Sequence, residues 1–288
     1  MNDKEKINDT DTWDINITGA RGKFDLNLHE VWRYRDLLSM FVKKDIITVY
    51  KQTILGPIWF LIQPIMTTLI YVVIFGQVAK ISTDGVPPVL FYLGSITIWN
   101  YFSETLTLTS KTFTENATIF GKVYFPRIIL PLSKVLSGML KLLIQLSLFL
   151  VFWAYYYFIN HSISPNWHIL YFPLLLLVLA IMSLSFGIII TSLTTKYRDL
   201  NFLISFAIQL LMYATPVIYP ISIASPQKQI WLWLNPLTSI FEAFKFSFLG
   251  QGVFSYFWLG YSVVFTIVLL VVGVVIFNVV EKRFIDTV

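Results

Sequence analysis

The sequence predicts an all-α integral membrane protein with six transmembrane helices, an N-terminal amphipathic interfacial helix and an outer re-entrant helical hairpin between spans five and six. Composition is the first reason, because 56% of the 288 residues are apolar and 13% are charged. Soluble domains average about 45–50% apolar and 25% charged residues. The second reason is a series of six long apolar segments. The third is an uneven distribution of lysine and arginine between the loops.

The N-terminal part divides into a polar tail, residues 1–28, and a predicted interfacial helix, residues 29–53. The tail carries no long apolar run. In the second segment Val31, Leu38 and Phe41 recur at helical spacing, and charged residues fill the positions between them. This pattern is typical of an amphipathic helix that lies along the membrane surface and does not cross the bilayer.

Residues 54–288 form one predicted six-span domain. A helix needs about 20 residues to cross roughly 30 Å of hydrocarbon. Every crossing segment is expected to be helical, because backbone polar groups find no water there. The candidate spans are 54–79, 89–108, 131–158, 169–193, 202–219 and 256–280. The third is longer than a crossing requires, and the fifth is short and ends in Pro216 and Pro220.

The lysines and arginines predict the orientation of the chain. Seventeen of the 21 lie in residues 1–53, 109–134 and 194–201 and in the tail after the sixth span. Three lie on the opposite side, and Lys141 lies inside the third predicted span. The positive-inside rule therefore predicts that both termini are cytoplasmic. Topology thus explains the net charge of +5, which gives no support to a nucleic-acid partner.

The outer loop between the fifth and sixth predicted spans is apolar, unlike an ordinary solvent-exposed loop. An aromatic run ends at Leu234, the pair Asn235-Pro236 follows, and apolar residues then recur at helical spacing up to Gly250. We interpret this loop as two short half-buried helices broken at the Asn-Pro pair. A re-entrant hairpin is the favoured arrangement, since irregular backbone at membrane depth is tolerated where protein covers it. A plain interfacial loop is the alternative.

The residues that would carry enzyme chemistry are absent or scattered. The sequence has no G-x-x-x-x-G-K-[ST] motif for ATP phosphates and no cysteine. Its three histidines lack metal-ligand spacing, and Glu104 is the clear intramembrane carboxylate, whereas proton-driven transporters usually need several such groups. A multispan protein without its own energy site is expected to be a permease driven by a partner. We expect this chain to bind no cofactor and no metal.

Several short blocks, taken together, identify a family. They are Tyr34-Arg35-Asp36-Leu37-Leu38, Lys44-Asp45-Ile46, Tyr50-Lys51-Gln52-Thr53-Ile54-Leu55-Gly56-Pro57-Ile58-Trp59, Gln63-Pro64, Lys122-Val123-Tyr124-Phe125-Pro126-Arg127, Pro131-Leu132, Asn235-Pro236-Leu237-Thr238 and Glu242-Ala243-Phe244-Lys245. In residues and order they resemble the ABC-2 type polysaccharide-export permeases, over residues 29 to about 250. The O-antigen (lipopolysaccharide) transport permeases look closest, and the related teichoic acid and capsule permeases are alternatives. The family usually carries arginine where this chain has Lys245.

The resemblance implies a homodimer of this chain with two copies of a separate ABC ATPase subunit, which binds ATP and Mg²⁺. It implies export of undecaprenyl-diphosphate-linked polysaccharide through the bacterial inner (cytoplasmic) membrane, in contact with membrane lipids. It also implies a cytoplasmic contact helix between the second and third spans and outer helices that gate the exit. The ATPase-docking candidates are Glu115, Lys122, Tyr124, Arg198 and Asp199. The outer-gate candidates are Asn235, Pro236 and Glu242.

Arg127, Lys134 and Lys141 are spaced seven residues apart, so on one helix they drift only about 40° around the axis. The functional hypothesis is that this basic stripe binds the carrier's diphosphate, since arginine and lysine are natural phosphate partners. The alternative is ordinary snorkelling together with topology. Glu104 is expected at the depth of Lys141, which predicts a Glu104–Lys141 ion pair between neighbouring helices.

Aromatic side chains inside the spans are candidates for a channel lining, because flat and partly polar rings let a glycan slide without a tight site. The candidates are Trp59, Tyr71, Trp99 and Tyr213. Helix packing or lipid contact is the alternative for each of them.

Three rival functions remain open at this point. The first is export of another polymer or a small amphiphile. The second is an integral-membrane acyl- or glycosyltransferase, for which the sequence lacks a cluster of acids, histidines or nucleophiles near one interface. The third is an assembly scaffold, which would not need an apolar outer hairpin or a docking loop.

Overall fold

The computed structural model describes residues 28–51, 56–120, 125–194 and 199–284, and the regular elements in these ranges are helices. The polar tail over residues 1–27 lies outside the described residues. The α-helices are α1 (Leu28–Arg33), α2 (Arg35–Tyr50), α3 (Trp59–Tyr71), α4 (Pro88–Ser110), α5 (Thr112–Glu115), α6 (Ala117–Phe120), α7 (Ile129–Phe158), α8 (Phe172–Thr194), α9 (Leu200–Tyr213), α10 (Pro226–Trp233), α11 (Pro236–Leu249) and α12 (Tyr256–Phe284).

Four helical stretches are long and apolar enough to cross a membrane. They are Trp59–Val78, Ile129–Phe158, Trp167–Thr194 and Tyr256–Val280. The first joins α3 to a π-helical segment, Val72–Val78, and the third joins a 3₁₀ turn, Trp167–Tyr171, to α8. These stretches agree within a few residues with the first, third, fourth and sixth predicted spans. The protein is therefore a multi-pass helical membrane protein.

The second predicted span corresponds to α4, which is long enough but more polar than the other four stretches. It contains 23 residues, about 35 Å at 1.5 Å per residue. Every residue from Phe91 to Trp99 is buried against the rest of the chain. Because protein surrounds this half of α4, its serine and threonine side chains need not be compatible with lipid.

The fifth predicted span corresponds to α9, which ends at Tyr213 and not at residue 219. Its 14 residues cover about 21 Å, less than the hydrocarbon thickness. Pro216 disfavours helical geometry at the residue before it, and Pro220 follows within one turn. The prediction that residues 202–219 form one helix is therefore wrong for residues 214–219.

Glycines bring the central helices into close contact. A Cβ added to Gly138 of α7 would lie 2.6 Å from Thr105 Oγ1 of α4, and one added to Gly187 of α8 would overlap Thr109 of α4. Small residues at these positions let helices approach closely, which is how helices associate where lipid removes the hydrophobic driving force. α4 is thus held between α7 and α8.

The N-terminal helices α1 and α2 pack on the beginning of α7. Phe41 of α2 is buried against Ile129 and Leu130, and its ring lies 5.9 Å from the ring of Phe125. The helical turns continue past Tyr34, because Leu38 N donates to Tyr34 O at 3.0 Å. The apolar side predicted for residues 29–53 is therefore covered in part by protein.

Candidate functional site

A lysine and a glutamate meet between α4 and α7. Lys141 Nζ lies 2.6 Å from Glu104 Oε1, which confirms the predicted ion pair. The ammonium also lies 5.5 Å from the ring centre of Phe60 of α3, at a distance where the electron-rich ring face attracts a cation. The side chain of Glu104 is 44% exposed and that of Lys141 is 13% exposed. The carboxylate is therefore the accessible member of the pair.

The other two residues of the predicted basic stripe lie in different surroundings. Lys134 Nζ donates a 2.7 Å hydrogen bond to Asp45 Oδ1, which connects α2 to α7. Arg127 is buried and precedes α7, which begins at Ile129. Arg127 lies in the turn that leads into α7, since Leu130 N donates to Arg127 O at 3.3 Å. The alignment of the three residues as one basic stripe stays a prediction. Asp45 is one of the charged residues of the predicted interfacial helix, but the sequence does not show that this helix packs against α7.

The four candidate channel aromatics differ in exposure. Trp99 is buried in the main hydrophobic core of this chain. Tyr71 is partly buried, and its hydroxyl lies 3.8 Å from Met212 Sδ, so α3 and α9 meet there. Trp59 and Tyr213 are about half exposed. Of the four candidates, Trp59 and Tyr213 are therefore the two that expose the larger part of their side chains to another molecule.

The predicted outer hairpin corresponds to two short helices, α10 and α11, which are separated at Asn235-Pro236 as the sequence predicts. Asn235 caps α11, since its Oδ1 accepts a 3.1 Å hydrogen bond from Leu237 N. Its Nδ2 donates to Thr215 Oγ1 at 2.8 Å. Pro236 occupies the first turn, where the missing N–H costs nothing. Asn235 therefore starts α11 and ties it to the segment after α9.

A buried ion pair lies on α11. Lys245 Nζ lies 3.1 Å from Glu242 Oε1, and both side chains are almost completely buried. The ammonium also donates to Pro216 O at 2.6 Å and lies 4.6 Å from the ring centre of Phe91. Glu242 Oε2 accepts a 3.1 Å hydrogen bond from Val253 N. The pair thus joins α11 to the segments before and after the hairpin.

Glu242 was a gate candidate from the sequence, whereas the pairing with Lys245 was missed. The signal was present, because residues three apart on a helix face each other. The sequence does not show that both side chains are buried, nor that backbone groups of Pro216 and Val253 bond to them.

Two hydrogen bonds join α5 and the end of α4 to the end of α8, close in sequence to the docking candidates Glu115 and Asp199. Phe113 N of α5 donates to Thr191 Oγ1 of α8 at 3.1 Å. Thr194 Oγ1, at the end of α8, donates to Ser110 O of α4 at 3.2 Å. The short helix α5 is therefore fixed against the end of α8, and α6 follows α5 directly in the chain.

Of the docking residues, Glu115 and Asp199 are exposed. The other three candidates lie outside the described residues: Lys122, Tyr124 and Arg198. Glu115 ends α5 and Asp199 immediately precedes α9. The two exposed carboxylates therefore lie on segments that border the same end of α8.

Three lysine–carboxylate pairs connect helices or loops in the described part of the chain. Within those same residues, no group of three histidine, aspartate or glutamate side chains is placed to hold a metal ion. These charged pairs can offer a solute hydrogen bonds and charge. Of the two pairs that involve α7, Glu104–Lys141 has the more exposed carboxylate.

Fold and charged groups together define a membrane-embedded helical domain with paired charges between its helices. Residues 36–249 match the family model described as ABC-2 type transporter, so the chain belongs to the ABC-2 type transporter family. Two O-antigen export system permease proteins RfbA from Klebsiella pneumoniae are 31% and 30% identical to it over 250 residues, which cover 86% of this chain and 93% of each relative. An O-antigen export system permease protein RfbA from Myxococcus xanthus is 27% identical over 220 residues, covering 76% of this chain and 82% of the relative.

Proposed function

We propose that this chain is the permease subunit of an ATP-driven ABC exporter that moves undecaprenyl-diphosphate-linked polysaccharide of the O-antigen type across the bacterial inner membrane. The observation that carries this proposal is similarity along nearly the whole chain to permeases named for O-antigen export, at 30–31% identity over 250 residues. Identity on that scale over a shared family domain supports a shared transport task. The ATP-binding machinery is expected in a separate subunit.

The proposed topology has six crossings and cytoplasmic termini, with α4 and α9 added to the four apolar stretches. α4 would cross inside the bundle, where protein shields its polar residues. α9 would be completed by the non-helical segment after Tyr213, in which residues 215–218 are buried. Irregular backbone at membrane depth requires such cover. The burial of nearly all of α11 supports a re-entrant outer hairpin in the same way.

The proposed assembly contains two copies of this chain and two ATPase subunits. The surface that would receive the ATPase is formed by α5, α6, the end of α8 and the beginning of α9, with Glu115 and Asp199 as exposed charges in the described residues. Hydrogen bonds from Phe113 and Thr194 fix these segments to α8 and α4. A movement of the ATPase against this surface would therefore displace α4 and α8 directly.

The basic residues Arg127, Lys134 and Lys141 are the proposed contacts of the carrier's diphosphate. Lys134 and Lys141 each have a carboxylate partner, at 2.7 Å and 2.6 Å respectively. An ammonium group has three N–H donors, so one carboxylate bond leaves donors for a phosphate oxygen. Among the aromatics, Trp59 and Tyr213 are the proposed glycan contacts, since both rings are half exposed.

Co-purification from native membranes in mild detergent tests the proposal. We expect a stoichiometric second protein with a P-loop motif, and ATP hydrolysis by the isolated complex. Asp199→Lys should weaken the association, whereas Lys228→Glu, an equally exposed charge reversal on α10, should not. A chain that purifies alone, without ATP hydrolysis in any lipid mixture, would contradict the proposal and favour the membrane-enzyme alternative.

A further inference from the structure

Beyond its first turn, α4 is accessible in its second half, and the accessible face there is mainly polar. All residues from 91 to 99 are buried, whereas five of the nine residues from 100 to 108 are not. Four of those five share one helix face and are polar, and we name them the α4 polar stripe: Asn100, Ser103, Glu104 and Thr107. A polar face at spacing i, i+3, i+4 and i+7 is continuous along the helix.

Neighbouring helices cover the first half of α4 and leave the stripe open. The ring of Tyr71 of α3 lies 6.1 Å from that of Tyr92 of α4, and the Tyr71 hydroxyl reaches Met212 of α9. α3 and α9 therefore close over the buried half. Farther along, Phe60 of α3 approaches Lys141 beside the stripe, while the Glu104 side chain keeps 44% of its surface exposed.

Lipid is an unsuitable neighbour for this face. Ionisable residues within membrane helices almost always face a bundle interior or a water-filled cavity, because acyl chains offer them no partners. The four other helical stretches of comparable length expose apolar side chains, for example Leu143 of α7 and Val264 of α12. The α4 polar stripe differs from them in presenting an exposed carboxylate, together with an amide and two hydroxyls on one face.

The stripe offers mainly hydrogen-bond acceptors. Thr107 Oγ1 donates its proton to Ser103 O at 2.7 Å, and Ser103 Oγ donates to Asn100 O at 3.3 Å. Both hydroxyl oxygens therefore keep lone pairs for an outside donor. Glu104 uses Oε1 for Lys141, so Oε2 is available on the exposed side chain. Lys141 also neutralises the charge of the carboxylate.

We propose that the α4 polar stripe lines the translocation path and accepts hydrogen bonds from the hydroxyl groups of the passing sugar chain; this inference rests on the proposed function. A carbohydrate supplies many O–H donors for these acceptors, whereas a phosphate group supplies acceptors and needs N–H donors such as those that Lys141 keeps free of Glu104. Neutral hydrogen bonds are weak once their exchange with water is counted. Weak and repeated contacts suit a path on which a solute must also leave each site.

Cysteine labelling tests the inference on the full complex in membranes. The chain has no cysteine, so single variants have no background in this subunit. Ser103→Cys and Thr107→Cys are the reporters. Val264→Cys, exposed on α12 but apolar in its surroundings, and Thr105→Cys, fully buried on α4, are the controls. The probe is a charged, membrane-impermeant methanethiosulfonate reagent applied to inside-out vesicles.

The expected result is labelling of both reporters at least about tenfold faster than either control. In vesicles from cells that make the lipid-linked polysaccharide, reporter labelling should slow about threefold or more relative to cells that lack it. Reporters that label no faster than Val264→Cys would overturn the inference. Labelling that is insensitive to the polysaccharide would overturn the sugar contact, and a Ser103→Cys disulfide between two copies would assign the face to a subunit interface instead.

This outcome is independent of the ATPase test. A complex that hydrolyses ATP but fails the labelling test would refute the stripe and leave the exporter proposal standing. A chain without an ATPase partner would refute the exporter proposal, whatever the labelling rates.

Discussion

Two lysine–glutamate pairs, one between the central helices α4 and α7 and one on α11, have opposite surroundings. Glu104 and Lys141 come from α4 and α7, and the carboxylate side chain is 44% exposed. Glu242 and Lys245 lie three residues apart on α11, with side chains 0% and 2% exposed. In the hairpin pair, the second carboxylate oxygen and the ammonium are also bonded to backbone groups of other segments.

The difference shows how similar pairs acquire different roles. A pair whose remaining donors and acceptors bond other parts of the chain holds those parts together and offers little to a ligand. A pair with an accessible carboxylate oxygen can still accept a hydrogen bond from a solute. We therefore expect Glu242–Lys245 to determine the stability of the hairpin and Glu104–Lys141 to influence transport.

The largest expected effect follows from breaking the buried pair. Lys245→Met leaves Glu242 without its counter-ion in a buried site, which should reduce stability by about 3–5 kcal/mol. Thermal unfolding of the purified complex in detergent measures this loss. The double variant Glu242→Gln/Lys245→Met should recover part of it, because no unpaired charge remains. Equal stability of the single variant and the natural protein would contradict the structural role.

A smaller effect is expected from enlarging a glycine between central helices. Gly187→Leu would force α8 away from Thr109 of α4, and overpacking of this kind costs about 1–3 kcal/mol. Membrane expression and thermal unfolding measure the effect. Gly260→Leu on α12 is the matched control, because a Cβ there meets no atom within 4 Å. If both variants lose stability equally, helix contact at Gly187 is not the cause.

The hairpin cap has an effect of about 1 kcal/mol. Asn235→Ala removes the side-chain acceptor for Leu237 N, and loss of such a cap typically costs about 0.5–2 kcal/mol. Asn235→Asp keeps the acceptor but removes the bond to Thr215, so it separates capping from attachment. Limited proteolysis of the hairpin reports both. If the natural protein and both variants are cleaved equally slowly, Asn235 neither caps α11 nor attaches it to Thr215 to a measurable extent.

The smallest effect on stability is expected at the accessible pair. Lys141→Met should change stability by about 1 kcal/mol or less, since partly exposed pairs contribute little. Surface polysaccharide should nevertheless fall several-fold at normal expression, whereas Lys141→Arg should retain most export. Immunoblotting of cell-surface polysaccharide measures the difference. Normal export by a fully expressed Lys141→Met protein would remove Lys141 from the proposed site.

Hydropathy predicted the apolar helices well, because lipid exposure directly requires long apolar runs. It described α4 and α9 less well, for two different reasons. α4 is buried by protein, so its length and not its hydropathy marks it as a candidate crossing. α9 stops at Tyr213 because the backbone near Pro216 leaves helical geometry, and hydropathy carries no information on backbone hydrogen bonding.

Depth along the helices was enough to predict the Glu104–Lys141 pair, since both residues lie on consecutive long helices that are expected to cross the membrane in opposite directions. The same reasoning could not find Asp45 as the partner of Lys134, because it requires the docking of α2 on α7 through Phe41. Depth along the helices also could not show that Trp99 is buried in the core whereas Trp59 is half exposed. Facing direction depends on tertiary packing, which periodicity alone does not determine.

Transport in a defined system tests the exporter proposal most directly. Proteoliposomes would contain this chain, its co-purified ATPase and undecaprenyl-diphosphate-linked polysaccharide, with the accessible sugar measured by a membrane-impermeant glycosidase. We predict that ATP moves the sugar from one side of the membrane to the other, and that Lys141→Met slows this movement. ATP hydrolysis with no change in sugar accessibility would contradict the proposal.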